Sequence, residues 1–268
     1  MKVTKGHFNR KVLFFGLLLF LAISLISTGF ASWIMSTGAD KGSNGNVHVG
    51  TITDGSLEFS EIEFVNNNSE IIFDALASDT TGDIKADLTP GAKYENLSIT
   101  LTTTITPVEY VQSLSISVAL PKTVDAAAKA GYITVPSCCY VEGTEASSVV
   151  IFENGTVKNL EGTGIAATVT DTEKNGTYEI SVTLTFGWGT QFGGKNPGIY
   201  LDEAADYQDP KTGYDLKVQK MIDFKRMIYG LAEPKNPGSV QTGEVSDEDV
   251  LAHTAPLQFD ILLTAVAK

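Results

Sequence analysis

Apolar residues recur at every second position in several stretches of this 268-residue chain. In 97–106, Leu97, Ile99, Leu101 and Ile105 share one face, and Ser98, Thr100, Thr102, Thr104 and Thr106 share the other. In 113–120, Leu114, Ile116, Val118 and Leu120 alternate with Ser113, Ser115, Ser117 and Ala119. The period is cleanest in 177–186, where Tyr178, Ile180, Val182, Leu184 and Phe186 oppose Thr177, Glu179, Ser181, Thr183 and Thr185. Near the end, Leu257, Phe259, Ile261 and Leu263 form one face of a last strand. A period of two is the mark of a half-buried strand, because successive side chains leave opposite faces of a sheet. Asn154-Gly155 and Asn175-Gly176 flank such runs and supply the positive φ angles of tight hairpins.

Helical periodicity is rarer. The stretch 122–130 ends at Gly131 and predicts a short helix. A longer one is predicted over 215–231, with Val218, Met221, Ile222, Ile228 and Leu231 on a stripe packed against a sheet. Lys217, Lys220, Asp223, Lys225 and Arg226 are expected on its remaining surface. Ser246 suits an N-cap, with Asp247, Glu248 and Asp249 in the first turn of a further short helix. Many alternating strands, hairpin turns and few helices predict a mainly β protein, an antiparallel β-sandwich of jelly-roll type with helical insertions around 122–130 and 201–232.

The first 46 residues follow a different pattern. A basic start (Lys2, Lys5, Arg10, Lys11) leads into an apolar run over 12–26 and then the small residues Ser27, Thr28, Gly29, Ala31 and Ser32. That order predicts a secretory signal peptide over 1–31, cut after Ala31 by a signal peptidase during export. Left uncut, 12–35 is long enough to anchor the chain in a bilayer, which would be its one membrane contact. Either route places the bulk of the chain outside the cytoplasm, extracellular or at the cell surface. Residues 39–46 are rich in Gly, Asn and Ser and read as a flexible connector, so 32–46 is a flexible N-terminal segment and 47–268 the folded domain.

Composition narrows the function. The net charge of −13 disfavours nucleic acid as a partner, since phosphate backbones repel it. Thr outnumbers Leu, in keeping with strands. The only cysteines, Cys138 and Cys139, are adjacent and cannot staple a long loop; buried free thiols are the expectation, with a vicinal disulfide or an intermolecular bridge as alternatives. Asn67, Asn96, Asn154 and Asn175 match the glycosylation sequon, and turn chemistry alone accounts for the last two. Of three histidines, His7 lies in the leader and His48 and His253 stand alone. No H-E-x-x-H, G-x-S-x-G, Walker or dinucleotide spacing occurs, so no catalytic residue, metal ligand or cofactor is expected and the chain reads as a non-enzyme.

The most unusual stretch is 186–200 (FGWGTQFGGKNPGIY). Trp188, Phe192 and Tyr200, with Gln191 and Asn196, have the composition of a sugar platform, making a glycan-binding or adhesion module the alternative function. The plainer expectation is a Gly-rich loop folding its aromatics over the end of the core. Asp202, Glu203, Asp206 and Asp209 follow without EF-hand spacing and read as a solvated face.

Three features together carry a resemblance: the leader ending in Gly29-Phe30-Ala31-Ser32-Trp33, the Gly/Asn-rich approach to Gly45-Asn46-Val47-His48-Val49, and the block Leu88-Thr89-Pro90-Gly91-Ala92-Lys93-Tyr94 before a long strand. Over roughly 12–120 the chain resembles the TasA/camelysin group of secreted Gram-positive matrix proteins. The 186–197 region has no counterpart there. The resemblance implies a jelly-roll subunit of an extracellular fibre, biofilm matrix or cell-surface layer, with copies of itself or a related matrix protein as partners. It also implies that an N-terminal strand around Trp33, Ile34 and Met35 completes the sheet of the next subunit. Camelysin relatives are labelled metalloproteases; no zinc motif here matches, and no catalytic residue is carried across.

Overall fold

The computed structural model describes residues 47–53, 57–67, 69–74, 76–77, 84–85, 97–106, 110–172, 176–198, 216–233 and 244–268. The leader 1–31, the segment 32–46 with Trp33, Ile34 and Met35, the 88–94 block, Tyr200 and the acidic run 202–209 lie outside them. In chain order the elements are β1 (Val47–Thr53), β2 (Glu58–Phe59), β3 (Glu63–Phe64), β4 (Leu76–Ala77), β5 (Ile84–Lys85), β6 (Ser98–Thr106), β7 (Val111–Leu120), α1 (Lys122–Lys129), β8 (Ile133–Thr134) and β9 (Cys139–Val141). They continue with β10 (Val149–Glu153), β11 (Thr156–Val157), β12 (Ile165–Thr172), β13 (Thr177–Thr185), β14 (Gly187–Trp188), α2 (Leu216–Tyr229), α3 (Asp247–Ala252) and β15 (Phe259–Ala267).

The protein is mainly β, and two larger sheets give it a sandwich-like body. The first runs β1-β15-β7-β10-β11, with β9 also on β7; the second runs β12-β13-β6-β2, with β3 also on β6. Most pairs are antiparallel, including β13 on β6 from Tyr178↔Ile105 to Thr185↔Ser98. Two pairs depart from the antiparallel expectation: β1 runs parallel to β15, and β9 parallel to β7. The long connections from β1 to β15 and from β7 to β9 permit this, since parallel neighbours need a crossover rather than a hairpin. Nothing in the local period of two encodes strand direction, so the sequence carried no signal for it.

Alternation decides which residues line the core. On β6, Ile99, Leu101 and Ile105 are fully buried, and on β13 so are Val182 and Leu184. They share one buried cluster with Ile116 and Val118 of β7 and with Ile261 and Leu263 of β15. Thr103 also points inward; its hydroxyl donates to Ser60 O at 3.1 Å, which removes the cost of an unpaired buried polar group. On β10 the register shifts between Val150 and Phe152, and this bulge lets the consecutive Ile151 and Phe152 both bury.

The opposite face of the second sheet is a hydroxyl array. Thr100 and Thr183 hydroxyls are 2.8 Å apart, and Ser98 donates to Thr185 at 3.1 Å. At the first Asn-Gly pair, Asn154 (φ 50°) and Gly155 (φ 82°) make the tight turn joining β10 to β11. Ser246 caps α3 by accepting the Asp249 N–H at 3.1 Å.

Truncating the inward Leu101 to Ala is expected to cost about 2–5 kcal/mol. Thr102→Ala, one residue on and facing out, is expected to cost less than about 1 kcal/mol. Urea denaturation followed by circular dichroism checks both, and equal costs would contradict the assignment of faces.

Candidate functional site

The described part of the unusual stretch, 186–198, meets α2 and residues 69–74 at one end of the sandwich. Backbone geometry brings it there. Gly189 sits so close to the turn after α1 that a Cβ in its place would lie 2.2 Å from Gly131 O. Only glycine permits that approach. β14 pairs with β8 through Trp188↔Ile133, the Gly189 N–H donates to Tyr132 O at 2.8 Å, and the Gln191 N–H donates to Gly131 O at 2.9 Å.

The aromatic rings of this region pack against one another. Trp188 meets Phe73 edge-on at 5.0 Å, Phe224 at 5.4 Å and Phe192 at 5.5 Å between centroids. Tyr132 lies 5.6 Å from both Phe192 and Phe224. These separations suit edge-to-face attraction between ring quadrupoles. Trp188 is 8% exposed and Phe192 is fully buried. Their rings therefore belong to the core rather than to an open surface. The polar groups are engaged inside too: Gln191 Nε2 donates to Ala130 O at 3.2 Å, and Asn196 Nδ2 donates to Asp74 O at 3.4 Å while its Oδ1 accepts the Gly198 N–H at 2.9 Å. Trp188, Gln191, Phe192 and Asn196 thus come together, with their binding capacity turned inward.

Beside the rings lies a charge cluster that the sequence pattern misplaced. Lys225 and Arg226, expected on the exposed side of their helix, are 1% and 7% exposed. Lys225 Nζ lies 2.7 Å from Asp74 Oδ1 and donates to Leu251 O at 2.6 Å and His253 O at 2.9 Å. Three donors meet three acceptors, the arrangement that lets an ammonium survive burial. Thr254 Oγ1 donates to the other Asp74 oxygen, Oδ2. Burial pushes the Lys225 ammonium below the ordinary lysine value, and the Asp74 carboxylate pulls it part of the way back. Arg226 donates to Ala232 O, Val245 O and Asp247 Oδ1 at 2.8, 2.9 and 2.6 Å. Tyr229 completes the row, its hydroxyl donating to Ala255 O at 3.0 Å and its ring meeting His253 at 4.7 Å. The one sequence sign of this cluster was Asp74, an acid directly after the apolar run Ile71-Ile72-Phe73.

This end of the molecule has the chemistry of a structural clasp. Its ammonium, guanidinium and carboxylate groups have their bonding capacity directed at one another and at backbone carbonyls. Among the described residues, no group of three or more His, Cys, Asp or Glu side chains is placed to hold a metal ion. Cys138 is buried and Cys139 half-buried, both as free thiols. A hydrogen bond between the two thiols, followed by burial, pushes Cys139 well above the usual thiol range, which keeps Cys139 a thiol at neutral pH. Among the described residues no helix is long and apolar enough to cross a membrane. Searches of protein-family models, curated proteins and solved structures return no match to this chain.

Asp74→Ala strands the Lys225 ammonium in the core and is expected to cost about 3–5 kcal/mol. Lys225→Met, made with it, is expected to leave the double variant less destabilised than the sum of the singles, read from a double-mutant cycle in urea. Tyr132 supplies a pH test. Burial, then the negative charge of Asp223, raises its phenol above the usual 10.0. The folded state therefore keeps the proton that the unfolded chain loses, so this contribution is present below that pH and lost as pH rises through the folded value. Tyr132→Phe is expected to show a smaller fall in Tm between about pH 9 and about pH 11 than the parent.

Proposed function

We propose that this chain is a secreted, non-catalytic structural subunit that assembles into an extracellular fibre, biofilm matrix or cell-surface layer. In this reading its body is a jelly-roll-type sandwich and its N-terminal segment around Trp33, Ile34 and Met35 pairs as a strand with a neighbouring copy. Export through the 1–31 leader and a signal peptidase delivers it to a Gram-positive cell surface. The resemblance of residues 12–120 to TasA/camelysin proteins supports this reading.

The observation that carries it is the place of β1. The first described strand lies at an outer edge of its sheet, directly after the 39–46 connector. A chain that enters the sandwich at an edge has its preceding residues free to run outward, and strand addition needs that geometry. Main-chain hydrogen bonds supply the affinity in this mode, and alternate side chains set the register. Nothing favours the glycan-binding alternative, because Trp188 and Phe192 are inside the core and the Gln191 and Asn196 amides are bonded to backbone.

Deleting 32–46 from the exported form is expected to leave the circular dichroism spectrum and Tm unchanged and to abolish polymers seen by negative-stain electron microscopy. Polymers of unchanged length and number would overturn the proposal.

A further inference from the structure

Among the described residues the second sheet ends at β12, which pairs on one side only, with β13. Its eight pairs with β13 run from Ile165↔Leu184 to Thr172↔Thr177 without a bulge. Which backbone groups face away follows from one bond: Thr185 N–H donates to Gly164 O at 2.8 Å, so residue 164 points toward β13. Direction alternates along a strand. Ala166, Thr168, Thr170 and Thr172 therefore bond to β13, and Ile165, Ala167, Val169 and Asp171 point outward. The Ile165 N–H is taken by Thr163 Oγ1 at 3.2 Å. Among the described residues, the N–H and C=O groups of Ala167, Val169 and Asp171 have no hydrogen-bond partner.

Edges of this length usually carry a guard such as Lys, Pro, a bulge or a covering segment. β12 (IAATVTDT) has neither Lys nor Pro, and Asp171 is its single charge. Of the other sheet ends, β2, β3 and β11 have two residues each, and the seven-residue β1 is the strand that the donor segment itself leads into. The apolar side of this edge is also incompletely covered: Ile165 is buried, but the inward Ala167 and Val169 are only partly so. An open depression of about 420 Å³ lies at the start of β12, bordered by Leu160, Gly164, Ile165 and Ala167 with the charged Lys158 and Glu161 at its margin. By volume the depression has room for one indole ring.

We propose that the outward edge of β12 is the acceptor for residues 32–37 of a second copy of this chain. The inference rests on the assembly reading above and adds the surface that receives the strand. Three properties select this occupant. Residues 32–37 (SWIMST) carry no charge, so the contact itself sets no like charges against each other between two acidic copies. An extended segment places Trp33 and Met35 on one face, which supplies large side chains where Ala167 leaves space. Finally, β1 lies beside β2 at one side of the sandwich and β12 beside β11 at the other. Donor and acceptor on opposite sides make a head-to-tail contact that propagates instead of closing into a dimer.

The test uses the exported chain from residue 32 onward. Hydrogen exchange followed by mass spectrometry compares monomer with polymer, and a peptide of residues 32–40 is added in excess to dilute monomer. The expected result is exchange at Ala167, Val169 and Asp171 slowed more than tenfold in the polymer and in the peptide complex, with a scrambled peptide inert. Val169→Pro, which removes an outward N–H and leaves the bonds to β13, is expected to stop polymer growth while retaining the parental circular dichroism spectrum. Should that variant fail to fold, the peptide experiment decides alone. Polymers that form, require 32–46 and yet leave the β12 amides unprotected would overturn the β12 assignment and spare the assembly reading. Amides already protected in isolated monomer, by the chain's own N-terminus, would overturn it equally. A chain that stays monomeric and ignores the peptide would overturn both.

Discussion

The buried ion pair between Lys225 and Asp74 is the constraint on which one end of the molecule depends. Taking an ammonium out of water costs several kcal/mol, and one carboxylate alone does not offset it. The Leu251 and His253 carbonyls complete the shell, and both lie on the approach to β15, an interior strand of the first sheet. Asp74 is fixed in turn by Thr254, and Phe73 beside it enters the Trp188 cluster. One lysine thus couples α2, the 69–74 segment and the entry to β15. Arg226 repeats the arrangement one residue on, binding the chain on both sides of the 234–243 stretch through Ala232 and Val245.

The elements that were legible in the sequence are those whose signal is local. Alternation over 97–106, 113–120 and 177–186 located β6, β7 and β13 within a residue or two, because half-burial writes a period of two directly into the chain. Asn154-Gly155 marked its hairpin, and Ser246 its helix start, through the backbone angles and donors those residues serve. β12 was missed: Ala166, Ala167 and Thr168 blur the contrast between its faces, as an edge strand with one uncovered side does. The parallel pairings and the burial of Lys225 and Arg226 were out of reach for another reason. Each is decided by a partner far along the chain, and helical periodicity assigns any Lys-Arg pair to solvent by default. The 186–200 stretch was legible as composition but not as orientation, since an aromatic-rich, Gly-rich loop serves a core and a sugar platform equally well until Phe224 and Phe73 are in place.

Outside the clasp, the surface is divided by chemistry. The second sheet turns a face of Thr and Ser hydroxyls to solvent, several bonded to one another across strands, which hydrates well and packs poorly against another apolar surface. The acidity of the chain as a whole keeps copies apart in solution. Backbone edges add no charge to that repulsion, because their donors and acceptors are uncharged and identical in every copy. A protein built this way discourages contact through side-chain faces and leaves unpaired strand edges as the route by which the proposed assembly would form.

Sedimentation velocity of the chain from residue 32 onward, over a hundredfold range of concentration, tests the proposed assembly most directly. The account predicts a monomer boundary at the lowest concentration and a growing series of faster, open-ended species as concentration rises, persisting in high salt because the contact is carried by backbone hydrogen bonds. A single monomer boundary at every concentration, or a closed dimer that grows no further, would contradict it.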